Sequence, residues 1–142
     1  MTIPAVILPG YFSRSIEYQE LEKSLNNQGI PTTTVPITKR DWIPTIGGRS
    51  MMPILRLIDR TVQETLQKYN CSQVNLIGHS AGGWIARIYL GEKPYDVHGD
   101  VLSLEAVWNA RTYVNTLITL GTPHISQERW TKRNLEFMDK DA

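Results

Sequence analysis

The sequence predicts an α/β fold: a mostly parallel sheet with helices on both faces. Three observations carry that expectation. Short apolar runs at Ala5–Leu8, Val74–Ile77 and Val114–Leu120 are each closed by glycine or proline, the punctuation of buried strands. A further stretch, Pro31–Val35, is rich in Thr and Val and suits a strand. Helically spaced segments separate these runs, and strands alternating with helices call for right-handed crossovers and a sheet covered on both sides.

The elements follow in order. Ala5–Leu8 ends at Pro9-Gly10. Ser15–Gln28 places Ile16, Leu21 and Leu25 among polar residues, with Gly29 as a stop, and predicts a helix. Lys39–Arg49 contains Pro44, Gly47 and Gly48 and reads as a loop. Met52, Leu55, Ile58, Val62, Leu66 and Tyr69 recur every three or four residues, the clearest helical pattern in the chain. Val74–Ile77 is a strand closed by Gly78. Gly82–Leu90 is an amphipathic helix with Ile85, Ala86 and Tyr89 available for packing. Gly91–Tyr113 is mixed, Val114–Leu120 is the fourth strand, and the charged remainder to Ala142 is expected to be helical.

Composition excludes several classes. Apolar residues make up 41% of the 142, enough for a core. Fifteen Lys and Arg against 14 Asp and Glu leave a net charge of +1, which favours neither nucleic acid nor an anionic membrane. The single cysteine, Cys71, can form no internal disulfide and points to a reducing, cytoplasmic setting. It lies away from any chemical motif, so it is not read as a nucleophile. The N-terminus has no basic segment, its apolar run is too short for a signal peptide or membrane span, and it reads as a first strand near a natural start.

The chemistry concentrates at Gly78-His79-Ser80-Ala81-Gly82-Gly83, which matches G-x-S-x-G. The bare pattern arises by chance in about one chain in twenty of this length. Its setting therefore decides: a strand precedes it and a helix follows. The expected geometry is a sharp strand-to-helix turn with a strained serine backbone. Glycines two residues before and after leave room for the helix to approach the strand. Ser80 would then stand at the carboxyl edge of the sheet as a nucleophile, with the helix N-terminus behind it. An oxyanion needs at least two N–H donors. One would be the amide of Ala81. The other would be that of Tyr11, in the Leu8-Pro9-Gly10-Tyr11-Phe12 loop, where Gly10 permits close approach.

The third motif is Leu120-Gly121-Thr122-Pro123-His124 after the fourth strand. Together, Leu-Pro-Gly-Tyr, Gly-His-Ser-Ala-Gly-Gly and Thr-Leu-Gly-Thr-Pro-His resemble lipase-like α/β hydrolases. The similarity is greatest to the branch that includes lipid-anchor inositol deacylases and their bacterial and plastid relatives. The resemblance implies a serine hydrolase acting on a small-molecule or lipid ester, without cofactor or metal. It implies that residues 1–142 are the N-terminal part of one α/β-hydrolase domain, a truncated form of that fold. It also implies that His124 borders the site without being its base.

The three histidines differ in promise. His124 could serve as base only with Asp96, Asp100 or Glu105 as its acid, given the order serine, acid, histidine in this fold. His79 occupies the variable position of the turn and is expected to pack beneath it. His98, between Asp96 and Asp100, reads as solvated surface, and no second histidine stands at metal-ligand spacing. Gly47-Gly48-Arg49-Ser50 is a loop without a phosphate-binding pattern. Trp42, Trp84, Trp108 and Trp130 read as packing residues, with Trp108 the best candidate to line the site.

In the resembling family the acid and the base follow later strands, beyond Gly-Thr-Pro-His. Only eighteen residues follow His124 here, and none forms a strand-like run. The expectation is therefore a fragment of a serine esterase or lipase that is inactive as written. The other reading is a non-catalytic remnant that binds an acyl ligand or a partner through an unfinished sheet edge. Nothing in the sequence sets an oligomeric state.

Overall fold

A computed structural model describes residues 2–10, 13–43, 51–91 and 108–122 of the chain. Among these residues four strands, β1 (Ala5–Leu8), β2 (Thr32–Thr34), β3 (Val74–His79) and β4 (Val114–Leu120), form one sheet in the order β2-β1-β3-β4. Every pairing is parallel. The connecting helices are α1 (Gln19–Asn27), α2 (Lys39–Trp42), α3 (Met52–Lys68) and α4 (Ala81–Tyr89). The α/β class and its parallel sheet are as the sequence predicts.

Alternate strand residues feed two clusters, one on each face, as the period-two geometry of a strand requires. Val6, Leu8, Val74 and Leu76 pack with α3 and α4 in the larger one. Ala5, Ile7 and Ile77 pack with Tyr18 in the smaller one, and Leu21 and Leu25 of α1 lean on it. In α3, Ile54, Leu55, Ile58 and Val62 are fully buried, which follows the three-and-four spacing of its apolar residues. Each such side chain contributes about 1.5–3 kcal/mol by leaving water, so α3 holds the larger layer together.

Two sequence expectations shift. Ser15–Gln28 is not one helix: a 3-10 turn over Ser15–Tyr18 leads into α1. Part of the expected loop at Lys39–Arg49 is helical, as α2. The cause is Asp41, whose carboxylate accepts the Thr38 N–H at 2.7 Å and its hydroxyl at 2.9 Å, closing the first turn. Residues 44–50, with the Gly47–Ser50 stretch, lie outside the described residues. So do the tail from Pro123 and most of the mixed segment after Gly91.

The outer side of β2 is closed locally. Asn26 of α1 takes the Thr32 N–H on its side-chain oxygen at 2.9 Å and donates to the Thr32 carbonyl at 3.2 Å. One amide side chain thus stands in for a neighbouring strand at that position.

The strand order positions the site. From β1 the chain crosses to β2 on one side, then returns to β3 on the other. In open parallel sheets the crevice at such a reversal, at the carboxyl ends of the strands, is where ligands bind. Here it falls between the residues that follow Leu8 and those that follow Gly78, which are register partners.

Candidate active site

Ser80 sits at the junction of β3 and α4, with φ 52° and ψ −126°. A non-glycine residue in this region carries strain of about 1–3 kcal/mol and persists only where its surroundings hold it. Two hydrogen bonds do so. The Ser80 N–H donates to the Leu120 carbonyl at 2.8 Å, and the Ser80 carbonyl accepts from the Gly83 N–H at 3.1 Å. The side chain is half-buried, at the N-terminus of α4. Ala81 is the first residue of α4, and its N–H has no intrahelical acceptor. The strand-to-helix turn and the strained serine backbone expected at Ser80 are both present.

The surrounding glycines answer to close backbone contacts. A Cβ at Gly78 would meet the Gly83 Cα at 2.5 Å and its nitrogen at 2.6 Å. A Cβ at Gly82 would strike the Leu8 carbonyl oxygen and meet that of Pro9 at 2.7 Å. A Cβ at Gly83 would collide with Thr122 Oγ1. These are the distances that let α4 lie against the ends of β1 and β3 and aim its first turn at the crevice.

Gly10 brings the loop after β1 to the same point. A Cβ there would stand 3.0 Å from Ser80 Cβ and 3.1 Å from the His79 carbonyl oxygen. The Gly10 N–H donates to the Tyr18 hydroxyl at 2.8 Å, and its carbonyl accepts from the Ser13 N–H at 2.9 Å. The Tyr18 hydroxyl also lies 2.8 Å from His79 Nδ1.

The structure thus brings Gly10, His79, Ser80 and Ala81 together. Tyr11 and His124 lie outside the described residues, as do His98, Asp96, Asp100 and Glu105. The expectation that His79 packs beneath the turn is corrected: its side chain is exposed, and Tyr18 holds its ring from one side. Tyr18 occupies the space beneath, in the cluster with Ala5, Ile7 and Ile77. Trp108 is also corrected as a lining residue. Its ring packs against Tyr89 at 6.2 Å, at the far end of α4 from Ser80.

Two contributors were not legible beforehand. Tyr18 shares a helical face with Leu21 and Leu25 at spacings of three and four, and its polar tip required a partner; that was the available signal. Thr122 was seen only as part of a turn, yet it fills the space that Gly83 leaves open. Its Oγ1 is buried with no hydrogen-bond partner among the described residues.

Away from Ser80, the described residues offer less. A cavity of about 580 Å³ is lined by Thr2, Ile3 and residues 70–73, at the opposite end of the sheet. A smaller one, about 250 Å³, lies beside β2 between Glu22 and Glu64. Neither holds a nucleophile paired with a base, and Asn70, at φ 47°, is an asparagine in the left-handed region that this residue tolerates in turns. No group of three His, Cys, Asp or Glu among the described residues could hold a metal, and no described helix is long and apolar enough to cross a membrane.

A parallel sheet with a strained serine at the switch point defines the α/β-hydrolase fold class. Solved structures share it. The mature form of Bacillus licheniformis lipase BlEst2 aligns with a TM-score of 0.68 and 19% identity, over 99% of this chain and 59% of that one. Its propeptide form aligns with a TM-score of 0.60 and 21% identity, over 87% and 23%. An iodinated complex of acetyl xylan esterase gives 0.53 and 16%, over 89% and 66%. The chain therefore spans less than two thirds of each of these proteins, and at such identities the likeness is one of fold. No curated protein matches it in sequence. The model of the PGAP1-like alpha/beta domain matches residues 17–140, and the chain belongs to that family.

Proposed function

We propose that this chain carries the nucleophile of a serine hydrolase that cleaves carboxylic esters, with Ser80 as that nucleophile. One observation carries the reading: a serine held at φ 52° between β3 and α4, against the Gly10 loop at the strand-order reversal. Family membership and lipase and esterase neighbours agree with it. Esters of lipids are the substrate class we favour, on the name of the lipase among those neighbours.

In the proposed reaction Ser80 Oγ attacks the ester carbonyl while its proton passes to a histidine. The Ala81 and Tyr11 amides hold the resulting oxyanion, and Gly10 and His79 border the space. The C–O bond to the alcohol then breaks, and the alcohol leaves with the proton. Water attacks the acyl-serine by the same path in reverse and releases the acid. His79 is the one histidine among the described residues, and its Nδ1 faces Tyr18. We therefore assign the base, and the carboxylate that orients it, to residues outside the described set. Cys71 is a free thiol, and we place the protein in the cytoplasm on that basis.

The test uses the intact protein and a fluorophosphonate probe, with the labelled peptide mapped by mass spectrometry. Labelling is expected on Ser80 and is lost in Ser80→Ala, together with hydrolysis of a short-chain nitrophenyl ester. Turnover that survives in Ser80→Ala, or a label on another serine, would end the proposal.

A further inference from the structure

We propose that Tyr18 is a positioning residue of this site: its hydroxyl ties Gly10 to His79 and thereby holds Gly10 against Ser80. The inference rests on the reading of Ser80 as nucleophile. It concerns a residue that neither touches the ester nor belongs to the G-x-S-x-G turn.

Tyr18 ends the 3-10 turn before α1, and its ring is buried among Ala5, Ile7 and Ile77. The hydroxyl emerges where the ends of β1 and β3 meet. There it receives the Gly10 N–H at 2.8 Å and reaches His79 Nδ1 at 2.8 Å. The Tyr18 and His79 rings meet edge to face, with centroids 5.5 Å apart and planes at 64°. One oxygen therefore joins Gly10 to the residue that directly precedes Ser80. The Gly10 carbonyl is fixed as well, by the Ser13 N–H at 2.9 Å.

The proton inventory gives the network a direction. A phenol has one hydrogen and two lone pairs. Tyr18 accepts from Gly10, so its hydrogen is available to His79 Nδ1. That donation uses Nδ1 as the acceptor, which places the ring proton on Nε2. Without the hydroxyl, the buried Gly10 N–H has no acceptor and the loop is free to tilt. A shift of about 1 Å in a catalytic group can cost about 10²-fold in rate. The oxyanion forms only in the transition state, so the loss falls on kcat rather than KM.

The test is Tyr18→Phe in the intact protein, which keeps the ring and removes the bridging oxygen. Turnover of a short-chain nitrophenyl ester and the rate of fluorophosphonate labelling should both fall about 10–100-fold, with KM little changed. The nitrogen-15 spectrum of the His79 ring should show a proton on Nε2 in the parent and a mixture of tautomers in Tyr18→Phe. His79→Ala breaks the bridge from its other end, and a fall in kcat at unchanged KM separates loss of the bridge from loss of a bordering contact, which would raise KM; this readout decides the matter should Tyr18→Phe fail to fold. Full kcat in a folded variant, or a rise in KM that accounts for the loss, overturns the positioning role. Ser80→Ala runs beside them. Turnover that survives there removes the nucleophile reading and this proposal with it. Turnover abolished there, but intact in Tyr18→Phe, removes the positioning role alone.

Discussion

Replacing Gly82 with alanine reverses the usual sign of a helical glycine substitution. Within a helix, Gly→Ala ordinarily stabilises by about 1 kcal/mol. At Gly82 the added Cβ meets only backbone: the Leu8 carbonyl oxygen, the Pro9 oxygen at 2.7 Å and the Leu8 carbonyl carbon at 2.9 Å. No rotamer relieves such contacts. A carbon ordinarily sits about 3.3 Å or more from a carbonyl oxygen, so α4 and β1 must part by about 1 Å. Overpacking of this kind costs about 3 kcal/mol at the upper end of its range. Against the gain of about 1 kcal/mol from helix propensity, the net loss is about 2 kcal/mol. That is a large share of a typical domain's stability of about 5–15 kcal/mol. The same displacement opens the gap between Gly10 and Ser80, and turnover should fall about 10²-fold. Urea unfolding and ester hydrolysis measure both effects. Gly29→Ala is the control: Gly29 has φ +85° and nothing within 4 Å of a new Cβ, so only backbone strain of about 1 kcal/mol applies. Its activity should be intact. A Gly82→Ala protein as stable as the parent would refute the packing argument.

Three further expectations are open to measurement. Gly83→Ala collides with the Thr122 side chain, so Thr122→Ala should restore part of the lost stability, with a coupling of about 0.5–3 kcal/mol in a double-mutant cycle; simple additivity contradicts this. Burial first, and then the bond to Asp59, pushes the Tyr89 phenol above its ordinary value. The unfolded chain loses that proton above about pH 10 while the folded protein keeps it, so the contribution is present below that pH and declines above it by about 1.4 kcal/mol per unit. The unfolding free energy of the parent relative to Tyr89→Phe should therefore fall above pH 10, and a constant difference counts against the argument. Gly10→Ala places a methyl 3.0 Å from Ser80 Cβ; turnover should drop about 10²–10³-fold if the loop carries an oxyanion donor, and an unaltered rate refutes that placement.

How much of this was legible in the sequence depended on the range of the interaction. The strands could be read because each is a local apolar run ended by a local turn signal. The turn at Ser80 could be read because Gly78 and Gly82 flank it at fixed offsets. The Lys39–Trp42 helix was missed because Pro44 and the glycines beyond it outweighed the Thr38–Asp41 spacing, although that spacing was sufficient. The Tyr18–His79 bond joins residues far apart in the chain, and only the fold brings them together. The exposure of His79 is hidden from the sequence for the same reason, since Tyr18 fills the space beneath the turn. Thr122 and Gly83 likewise explain one another only in three dimensions.

The hydrogen bond from the Ser80 N–H to Leu120 has a consequence for the order in which the protein is made. The carbonyl that steadies the bent backbone belongs to a residue translated forty positions later. At about 5–20 residues per second, the ribosome takes about 2–8 seconds to cover that interval. During it, β3 has no β4 beside it, and of the two bonds that hold the Ser80 backbone at a cost of about 1–3 kcal/mol only the one from Gly83 can form. The second bond waits for the fourth strand, so the turn at Ser80 gains its full support only after Leu120 has been added to the chain.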